Sequence, residues 1–392
     1  MRSRILLIML IVTVIGISPG TLWAEEQDLA PEAKSAILLD ADTGTVLFEK
    51  NSREKLPPAS ITKIMTMILT MEALESGKIK YDEPVRVSEH AASMGGSQIF
   101  LEPEEEMTVH DLLKAVAIAS ANDASVALAE KIGGTEEAFV EMMNKRAKEL
   151  GMKDTHFKNV TGLSAEGHYS TARDISIMSR ELLKYPKITS YTRIYQDYLR
   201  KDSKKPFWLV NTNRLVRFYK GVDGLKTGFT NEARFCLAAT AKRGNLRMIA
   251  VVMGEPTAKA RNTDISRMLD YGFSQYTNHV VYKDGEKIAV RHVDKGEKNK
   301  LTVRSRGQFS ILMRKGEEPG DYKKEIIWKE LKAPIRKGQG VGKVQIIKDG
   351  RVIAETELLS TEEIPRASMW KLAKRSLKNL LFYPEEAEQS GL

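Results

Sequence analysis

The chain has 392 residues, enough for two domains of average size, and its 42% apolar and 29% charged residues exclude a largely disordered protein. Its net charge of +9 favours anionic partners such as lipid headgroups, and no nucleic-acid-binding motif accompanies the charge. The single cysteine, Cys236, excludes an internal disulfide and lies in an apolar pattern that favours a small core residue. The six scattered histidines lack metal-ligand spacing, so we expect neither a metal nor a cofactor.

Residues 1–24 have the three parts of a secretory signal peptide. Arg2 and Arg4 give a positive start, an apolar run follows at 5–17, and Ala24 precedes two acidic residues. An uncleaved membrane anchor is the alternative, and it is disfavoured because the run is short for a membrane span. The sequence therefore predicts an exported protein, held at the outer face of the cytoplasmic membrane or secreted.

Hydrophobic periodicity predicts a first domain at 25–275. Two apolar runs around a turn indicate a hairpin at 35–50, and helical spacing begins at Ser60 and ends near Gly77. Since strands lie at both ends of this segment and helices between them, we expect an α/β (α+β) fold with one antiparallel sheet beside a helical lobe. Further helices are expected at 108–132, with a break near 120–123 and Asp123 as the second N-cap, and at 135–150, 172–184 and 257–275, with strands at 235–242 and 246–254.

The hydrophobic pattern of the sequence changes after the first domain. Short apolar runs alternate with turns such as Asp284-Gly285 and predict a small all-β domain at 276–360. Within 361–392, apolar residues recur every four positions and basic residues cover the rest, which predicts an amphipathic helix that lies on an anionic membrane surface. A terminal helix docked on its own domain is the alternative, and both remain open.

The segment Ser60-Ile61-Thr62-Lys63 is the first of three motifs that carry chemistry. A serine at the start of a helix with a lysine one turn later places the amine beside the hydroxyl. Serine becomes a nucleophile when a base takes its proton, and a lysine does so if burial and a nearby positive charge lower its pKa. The motif is frequent by chance, so an N-cap serine with a solvated lysine is the alternative for this segment alone.

The second motif, Ser120-Ala121-Asn122, falls in the predicted break between helices. A hydroxyl there is placed to pass a proton to a leaving amine. The asparagine amide is suited to hold either a substrate backbone or Lys63. The alternative is an ordinary capping sequence at a helix start.

The third motif, Lys226-Thr227-Gly228, stands at the entry to the strand pattern. A strand edge binds an extended peptide by main-chain pairing, and a glycine leaves room for close approach. Lys226 and Thr227 are suited to receive a C-terminal carboxylate. The alternative is an exposed lysine in a turn.

The order and context of the three motifs make the set far more specific than its parts. The same set occurs in β-lactamases and penicillin-binding proteins. In these three motifs and in the wider segments 58–66, 120–124 and 222–228, the chain resembles the low-molecular-mass penicillin-binding proteins, the D-alanyl-D-alanine carboxypeptidases. The β domain and the terminal amphipathic helix match that family's layout. The resemblance therefore implies a serine β-lactamase/transpeptidase-like catalytic domain.

This resemblance implies a role for each motif residue. Ser60 forms the acyl-enzyme and Lys63 is its base, while Ser120 and Asn122 assist proton transfer and placement. The family's oxyanion hole maps to the backbone N–H groups of Ser60 and Phe229, where such donors are each worth about 10²–10³ in rate. The substrate-binding residues that it implies are Asn122, Lys226, Thr227, Gly228, Phe229 and Arg261, the last of which helps to hold the terminal carboxylate.

Two positions depart from the family pattern. Phe229 stands where many relatives have a histidine or a tyrosine, which puts a side-chain role there in doubt. Arg234 stands where a glycine is common, and it would narrow the groove or add a charge to it.

The implied reaction removes the terminal D-alanine from peptidoglycan stem pentapeptides, and β-lactam antibiotics would acylate the same serine. A β-lactamase would need a glutamate and an asparagine that together activate the deacylating water. The most similar pair in this sequence, Glu141 and Asn144, has the wrong spacing and lies on a predicted solvated helix face, which disfavours that enzyme.

A D,D-endopeptidase on the same scaffold remains open. A non-catalytic penicillin-binding sensor is disfavoured by the presence of Ser60, Lys63 and Lys226.

Overall fold

A five-stranded sheet forms the centre of the first domain, with helices on both of its faces. The computed structural model describes residues 28–204 and 206–381, so the predicted signal peptide at 1–24 and the tail after 381 lie outside the described residues. In chain order the elements of this domain are β1 (Ser35–Asp40), β2 (Val46–Lys50), α1 (Lys63–Glu75), β3 (Pro84–Arg86), α2 (Glu89–Ala92), β4 (Glu106–Thr108), α3 (Val109–Ala119), α4 (Asn122–Gly133), α5 (Glu136–Glu149), α6 (Ala172–Leu183), α7 (Ile188–Thr192), β5 (Gln196–Leu199), β6 (Phe207–Val210), α8 (Leu215–Phe218), β7 (Val222–Thr230), β8 (Arg234–Arg243), β9 (Leu246–Glu255) and α9 (Ala258–Gln275).

The central sheet joins the two predicted hairpins. Its order is β2-β1-β9-β8-β7, and every neighbouring pair is antiparallel. The pairing of β1 with β9 brings the two ends of the domain together, which confirms the predicted fold class. The third motif lies in the middle of the edge strand β7 rather than at the entry to a strand, because its glycines hide the apolar pattern of that strand.

Strand β8 separates two apolar cores. Cys236 and Ala238 pack with the helical lobe, defined as α1–α7, whereas Leu237 and Ala239 pack with α9 on the other face. Successive side chains of a strand point to opposite faces, so a strand covered on both faces is apolar throughout. The free thiol of Cys236 is fully buried and fills core space, as the sequence pattern indicated.

The predicted break between two helices lies at Ser120, which adopts a left-handed conformation with φ of 62°. The N-cap of α4 is Ala121, so the prediction that Asp123 caps this helix was wrong. The Asp123 carboxylate instead accepts N–H groups of Ile99 at 3.0 Å and Leu101 at 3.1 Å. These amides belong to a loop far away in sequence, and only the fold brings them to the carboxylate.

The second domain is built from antiparallel strands. Five of them pair in the order β11-β12-β16-β15-β14, and β10 pairs with β13. Within the described parts of the chain, no helix is both long and apolar enough to cross a membrane. The elements are β10 (Tyr276–Tyr282), β11 (Lys287–His292), β12 (Lys300–Ser305), β13 (Phe309–Arg314), β14 (Lys323–Trp328), β15 (Gly340–Lys348), β16 (Arg351–Ser360) and the terminal helix α10 (Met369–Leu381).

A 3-10 turn at Ala59–Thr62 precedes α1 and packs against β7 at Gly228. A Cβ atom added to Gly228 would lie 2.9 Å from the Pro58 carbonyl oxygen and 3.1 Å from Ala59 Cβ. The close approach that the sequence predicted at this glycine is therefore made by the 59–62 turn. It fixes the distance between the first motif and the third.

We expect Gly228→Ala to destabilise the first domain by about 1–3 kcal/mol, because main-chain atoms must shift to admit the methyl group. Gly95→Ala is a matched control, since a Cβ there meets nothing within 4 Å. Thermal unfolding followed by circular dichroism measures both proteins. A lower melting temperature in the first variant only is the expected result, and equal values would contradict this packing.

Candidate active site

The 59–62 turn holds Ser60 between the helical lobe and β7. Ser60 is half-buried, whereas Lys63, the first residue of α1, is fully buried. Lys63 Nζ lies 3.1 Å from Ser60 Oγ. The structure therefore places the amine beside the hydroxyl, and the alternative of a solvated lysine does not hold.

The Lys63 amine has two further partners, and both are acceptors. Asn122 Oδ1 lies 2.7 Å from Nζ, and the carbonyl oxygen of Thr161 lies 2.6 Å from it. A neutral amine has two N–H groups and one lone pair. When the two acceptors take the two N–H groups, the lone pair faces Ser60 Oγ, which is the geometry that a general base requires.

Both lysines of the site are buried, and burial lowers the pKa of each. The pKa of Lys63 falls well below its usual value, first through burial and then through the charge of Lys226, while Asp123 opposes the shift. The pKa of Lys226 falls to about 7, first through burial and then through the charge of Arg261. Since Gly228 of the third motif packs against the 59–62 turn that carries Ser60, the first and third motifs share one cleft.

Asn122 reaches this cleft from the break between α3 and α4, where Ser120 is the C-cap of α3. Both side chains are buried. Asn122 Nδ2 donates to the Gly95 carbonyl at 2.7 Å, which fixes the amide so that Oδ1 faces Lys63. Of the two roles expected for this amide, contact with Lys63 is the one present in the structure.

Lys226 and Thr227 are consecutive residues of β7, so their side chains leave the strand on opposite sides. Lys226 is only 1% exposed, so the alternative of an exposed turn lysine is wrong. Its Nζ donates to the Thr227 carbonyl at 3.0 Å, and Thr227 Oγ1 donates to Thr212 Oγ1 at 2.7 Å. Thr212 is a partner of Thr227 that the sequence analysis missed, because no motif links it to β7.

Arg261 lies in the first turn of α9 and is also buried. Its guanidinium donates to Asn262 Oδ1 at 3.0 and 3.1 Å, and its charge lowers the pKa of Lys226. Arg261 and Thr212 both line a groove of about 1590 Å³ along α9. Through the hydrogen bond between Thr212 and Thr227, this groove adjoins β7 at Thr227.

The two positions that depart from the family pattern lie near the end of β7 and the start of β8. Phe229 is half exposed, and its ring stacks on Phe235 with centroids 4.4 Å apart. Arg234 has a left-handed φ of 57° and donates to the Pro256 carbonyl at 3.3 Å. A glycine adopts such a φ without strain, which is a physical reason for the glycine that the resemblance implied at this position.

The pair that a β-lactamase would need is absent from α5. Glu141 is exposed, as expected. Asn144 is half-buried, and its Nδ2 donates to the Phe157 carbonyl while its Oδ1 accepts the Phe157 N–H, both at 2.9 Å. The prediction of a solvated face therefore holds only in part for Asn144, which also tethers the chain that follows α5.

Thr161 is the member of the site that sequence reasoning was least able to find. It acts on Lys63 through its main-chain carbonyl, so its side chain carries no signal. The neighbouring Gly162 is the available signal, since its φ is 83° and a Cβ there would lie 1.8 Å from the Ala59 carbonyl oxygen. A glycine at that point is needed for the loop to lie on the 59–62 turn.

Comparisons with known proteins agree with this geometry. The profile of the family "D-alanyl-D-alanine carboxypeptidase" matches residues 23–257, and that of "Penicillin-binding protein 5, C-terminal domain" matches 276–366. The chain is 57% identical to D-alanyl-D-alanine carboxypeptidase DacF of Bacillus subtilis over 351 residues, which cover 89% of this chain and 90% of that protein.

Solved structures are similar as well. Penicillin-binding protein 5 from Haemophilus influenzae is 33% identical with a TM-score of 0.65, over 86% of this chain and 98% of that one. Penicillin-binding protein D2 from Listeria monocytogenes, in its ampicillin-bound form, is 32% identical with a TM-score of 0.56, over 62% of this chain and 98% of that one.

The chain thus has the fold and site of a penicillin-binding serine peptidase. It belongs to the D-alanyl-D-alanine carboxypeptidase family, since the family profile spans more than half of it and the relative from Bacillus subtilis matches over nearly its full length. The family, the fold class and the type of enzyme expected from the sequence are confirmed.

The pKa of Lys226 leads to a prediction about pH. A lysine with a pKa of about 7 loses its charge as the pH rises through that value, and with it the attraction for a carboxylate. For a peptide with a free C-terminus, kcat/KM should therefore decline above about pH 7 relative to the matching C-terminal amide. Steady-state kinetics with both peptides measures the ratio.

Lys226→Arg supplies the control, because a guanidinium stays charged throughout this range. The decline in the ratio should disappear in this variant even if its activity is low at every pH. The same midpoint in both proteins would mean that another group titrates.

Proposed function

We propose that the protein removes the terminal D-alanine from peptidoglycan stem pentapeptides through an acyl-enzyme on Ser60. The observation that carries this proposal is the environment of the Lys63 amine. It lies 3.1 Å from Ser60 Oγ, with both of its N–H groups directed to acceptors. Those contacts leave a lone pair for the serine proton.

In the first step, Lys63 takes the proton of Ser60 while Oγ forms a bond to the carbonyl carbon of the penultimate D-alanine. The charge that develops on the carbonyl oxygen is stabilised by the backbone N–H groups of Ser60 and Phe229, as in other enzymes that direct amides at an oxyanion. Gly228 lets β7 lie close to the 59–62 turn, which supports a site formed by these two backbones.

In the second step, the C–N bond breaks and the terminal D-alanine leaves as an amine that has gained a proton. Ser120 is the group we assign to pass that proton on from Lys63. The leaving residue carries a carboxylate, and the cationic groups of Lys226 and Arg261 with the hydroxyl of Thr227 are suited to bind it. Water then hydrolyses the ester on Ser60 and frees the shortened peptide.

A β-lactam should acylate the same serine. Its leaving amine remains joined to the acyl group after the ring opens, so it stays near the ester and hinders the entry of water. The ampicillin-bound and cefotaxime-bound forms of penicillin-binding protein D2 support this part of the proposal.

Release of D-alanine from an acyl-Lys-D-Ala-D-Ala peptide is the test of the substrate. We expect release by the protein without residues 1–24 and none by its Ser60→Ala variant. The variant keeps the fold, because Ser60 is half-buried and loses one small polar group. Release by both proteins, or by neither, would contradict the assignment of Ser60 and this substrate.

We also propose that the protein is exported and that α10 holds it on an anionic membrane surface. One side of α10 is bound to the second domain, since Arg375 donates to the carbonyls of Gly296 at 2.7 Å and Glu297 at 2.9 Å. On another side, Trp370 is 71% exposed and Leu377 is 56% exposed. Such an exposed apolar surface on a basic helix is typical of interfacial binding.

Flotation with anionic vesicles tests the membrane contact. Trp370→Ser combined with Leu377→Ser should reduce the bound fraction, because both changes remove exposed apolar area. Val290→Ser, on the 59% exposed Val290 of β11, is the matched control and should bind like the parent. Equal binding by all three proteins would remove α10 from the proposal.

A further inference from the structure

A buried histidine joins the 59–62 turn to the loop that follows α5. His168 is 6% exposed, and its Nε2 lies 2.9 Å from Thr62 Oγ1. Its Nδ1 accepts the Lys158 N–H at 3.2 Å. Because Nδ1 is an acceptor, the proton of the neutral ring lies on Nε2, which therefore donates to Thr62.

The ring of His168 is neutral at neutral pH. Burial, and then the charge of His156, lowers the pKa of His168 to about 4. The ring also makes an edge contact with Phe157, with centroids 5.9 Å apart. Both hydrogen bonds of His168 are therefore present at neutral pH.

The loop held by His168 is the one that carries Thr161. Within the loop, Asn159 Oδ1 accepts the N–H groups of Thr161 at 3.2 Å and Gly162 at 2.7 Å, which folds 159–162 into a turn. Thr66 Oγ1 of α1 donates to the Val160 carbonyl at 2.9 Å. The loop is thereby attached to α1 on one side and, through His168, to the residue next to Lys63 on the other.

We propose that His168 is a positioning residue for the Lys63 base, because it holds the Thr161 carbonyl where it accepts one N–H of the Lys63 amine. The proposal rests on the assignment of Lys63 as the base. His168 itself touches neither Ser60 nor Lys63. It acts by fixing the two segments, 158–161 and 59–62, whose relative position sets the 2.6 Å contact between Lys63 Nζ and Thr161 O.

Loss of the contact between Lys63 Nζ and the Thr161 carbonyl would change both the orientation and the pKa of the amine. Without the Thr161 acceptor, one N–H of Lys63 is unpaired, and the lone pair is no longer confined to the direction of Ser60. The ammonium form also loses a carbonyl that stabilises it, so the pKa of Lys63 falls further. The other charges that act on Lys63, those of Lys226 and Asp123, are unchanged.

The test is the rate of acylation by a fluorescent penicillin on the protein without residues 1–24, measured from pH 5 to 9, above the pKa of about 4 of His168 itself. His168→Ala should lower the plateau rate about 10–100-fold, the effect expected when a catalytic group is misplaced by about 1 Å. The acid limb of the profile should move to lower pH, because that limb reports the pKa of Lys63. A purely structural role would not move this limb.

Two conservative variants test separately the two hydrogen bonds that the His168 side chain makes. His168→Asn places an amide oxygen near the position of Nδ1 and keeps the acceptor for Lys158, while His168→Gln places an amide nitrogen near Nε2 and keeps the donor to Thr62. Each should be intermediate between the parent and His168→Ala. If the alanine variant fails to fold, these two still test the proposal.

His156→Ala is the matched control. His156 lies on the same loop and near His168, but its ring contacts Tyr169, with centroids 6.3 Å apart. It should react like the parent. Parent-like rates in all His168 variants, or the same loss in His156→Ala, would overturn the proposal. Acylation of the parent but not of Ser60→Ala establishes the serine step separately, so a failure of the proposed function is distinguished from a failure of this inference.

Discussion

The burial of two lysine side chains in one cleft is the constraint on which the rest of the site depends. An ammonium group is unstable away from water, so burial lowers the pKa of both Lys63 and Lys226. Their surroundings differ, and so do their roles. Lys63 has two acceptors and a cationic neighbour and is suited to be a neutral base, while Lys226, with a pKa of about 7, remains partly charged near neutrality and is suited to a carboxylate.

Close approach of main chains brings these groups together. The 59–62 turn lies between β7 on one side and the loop after α5 on the other. Each contact passes through a glycine, Gly228 in the first case and Gly162 in the second, because a Cβ at either position would collide with the chain at 58–59. The positions of the side chains in this site are therefore set by the close packing of main chains at the two glycines.

The second domain is joined to the first by both polar and apolar contacts. At the β1–β2 turn, Asp42 Oδ2 accepts hydrogen bonds from Gln308 Nε2 at 2.8 Å and Ser310 Oγ at 2.9 Å, and Leu312 packs against the core between the sheet and α9. In the sheet order β2-β1-β9-β8-β7, that turn joins the strands at one edge, and Lys226 lies on the opposite edge.

The sequence by itself determined the elements and the three motifs, because helical and strand periodicity are local properties and the motif residues carry their chemistry in their side chains. It also placed Ser60, Lys63 and Lys226 in one expected site. Only the tertiary structure decided that the Thr161 carbonyl faces Lys63, that Thr212 joins β7 and that Asp123 accepts distant amides instead of capping α4. Those contacts join segments far apart in the chain, often through main-chain atoms that every residue possesses, so no local pattern distinguishes them.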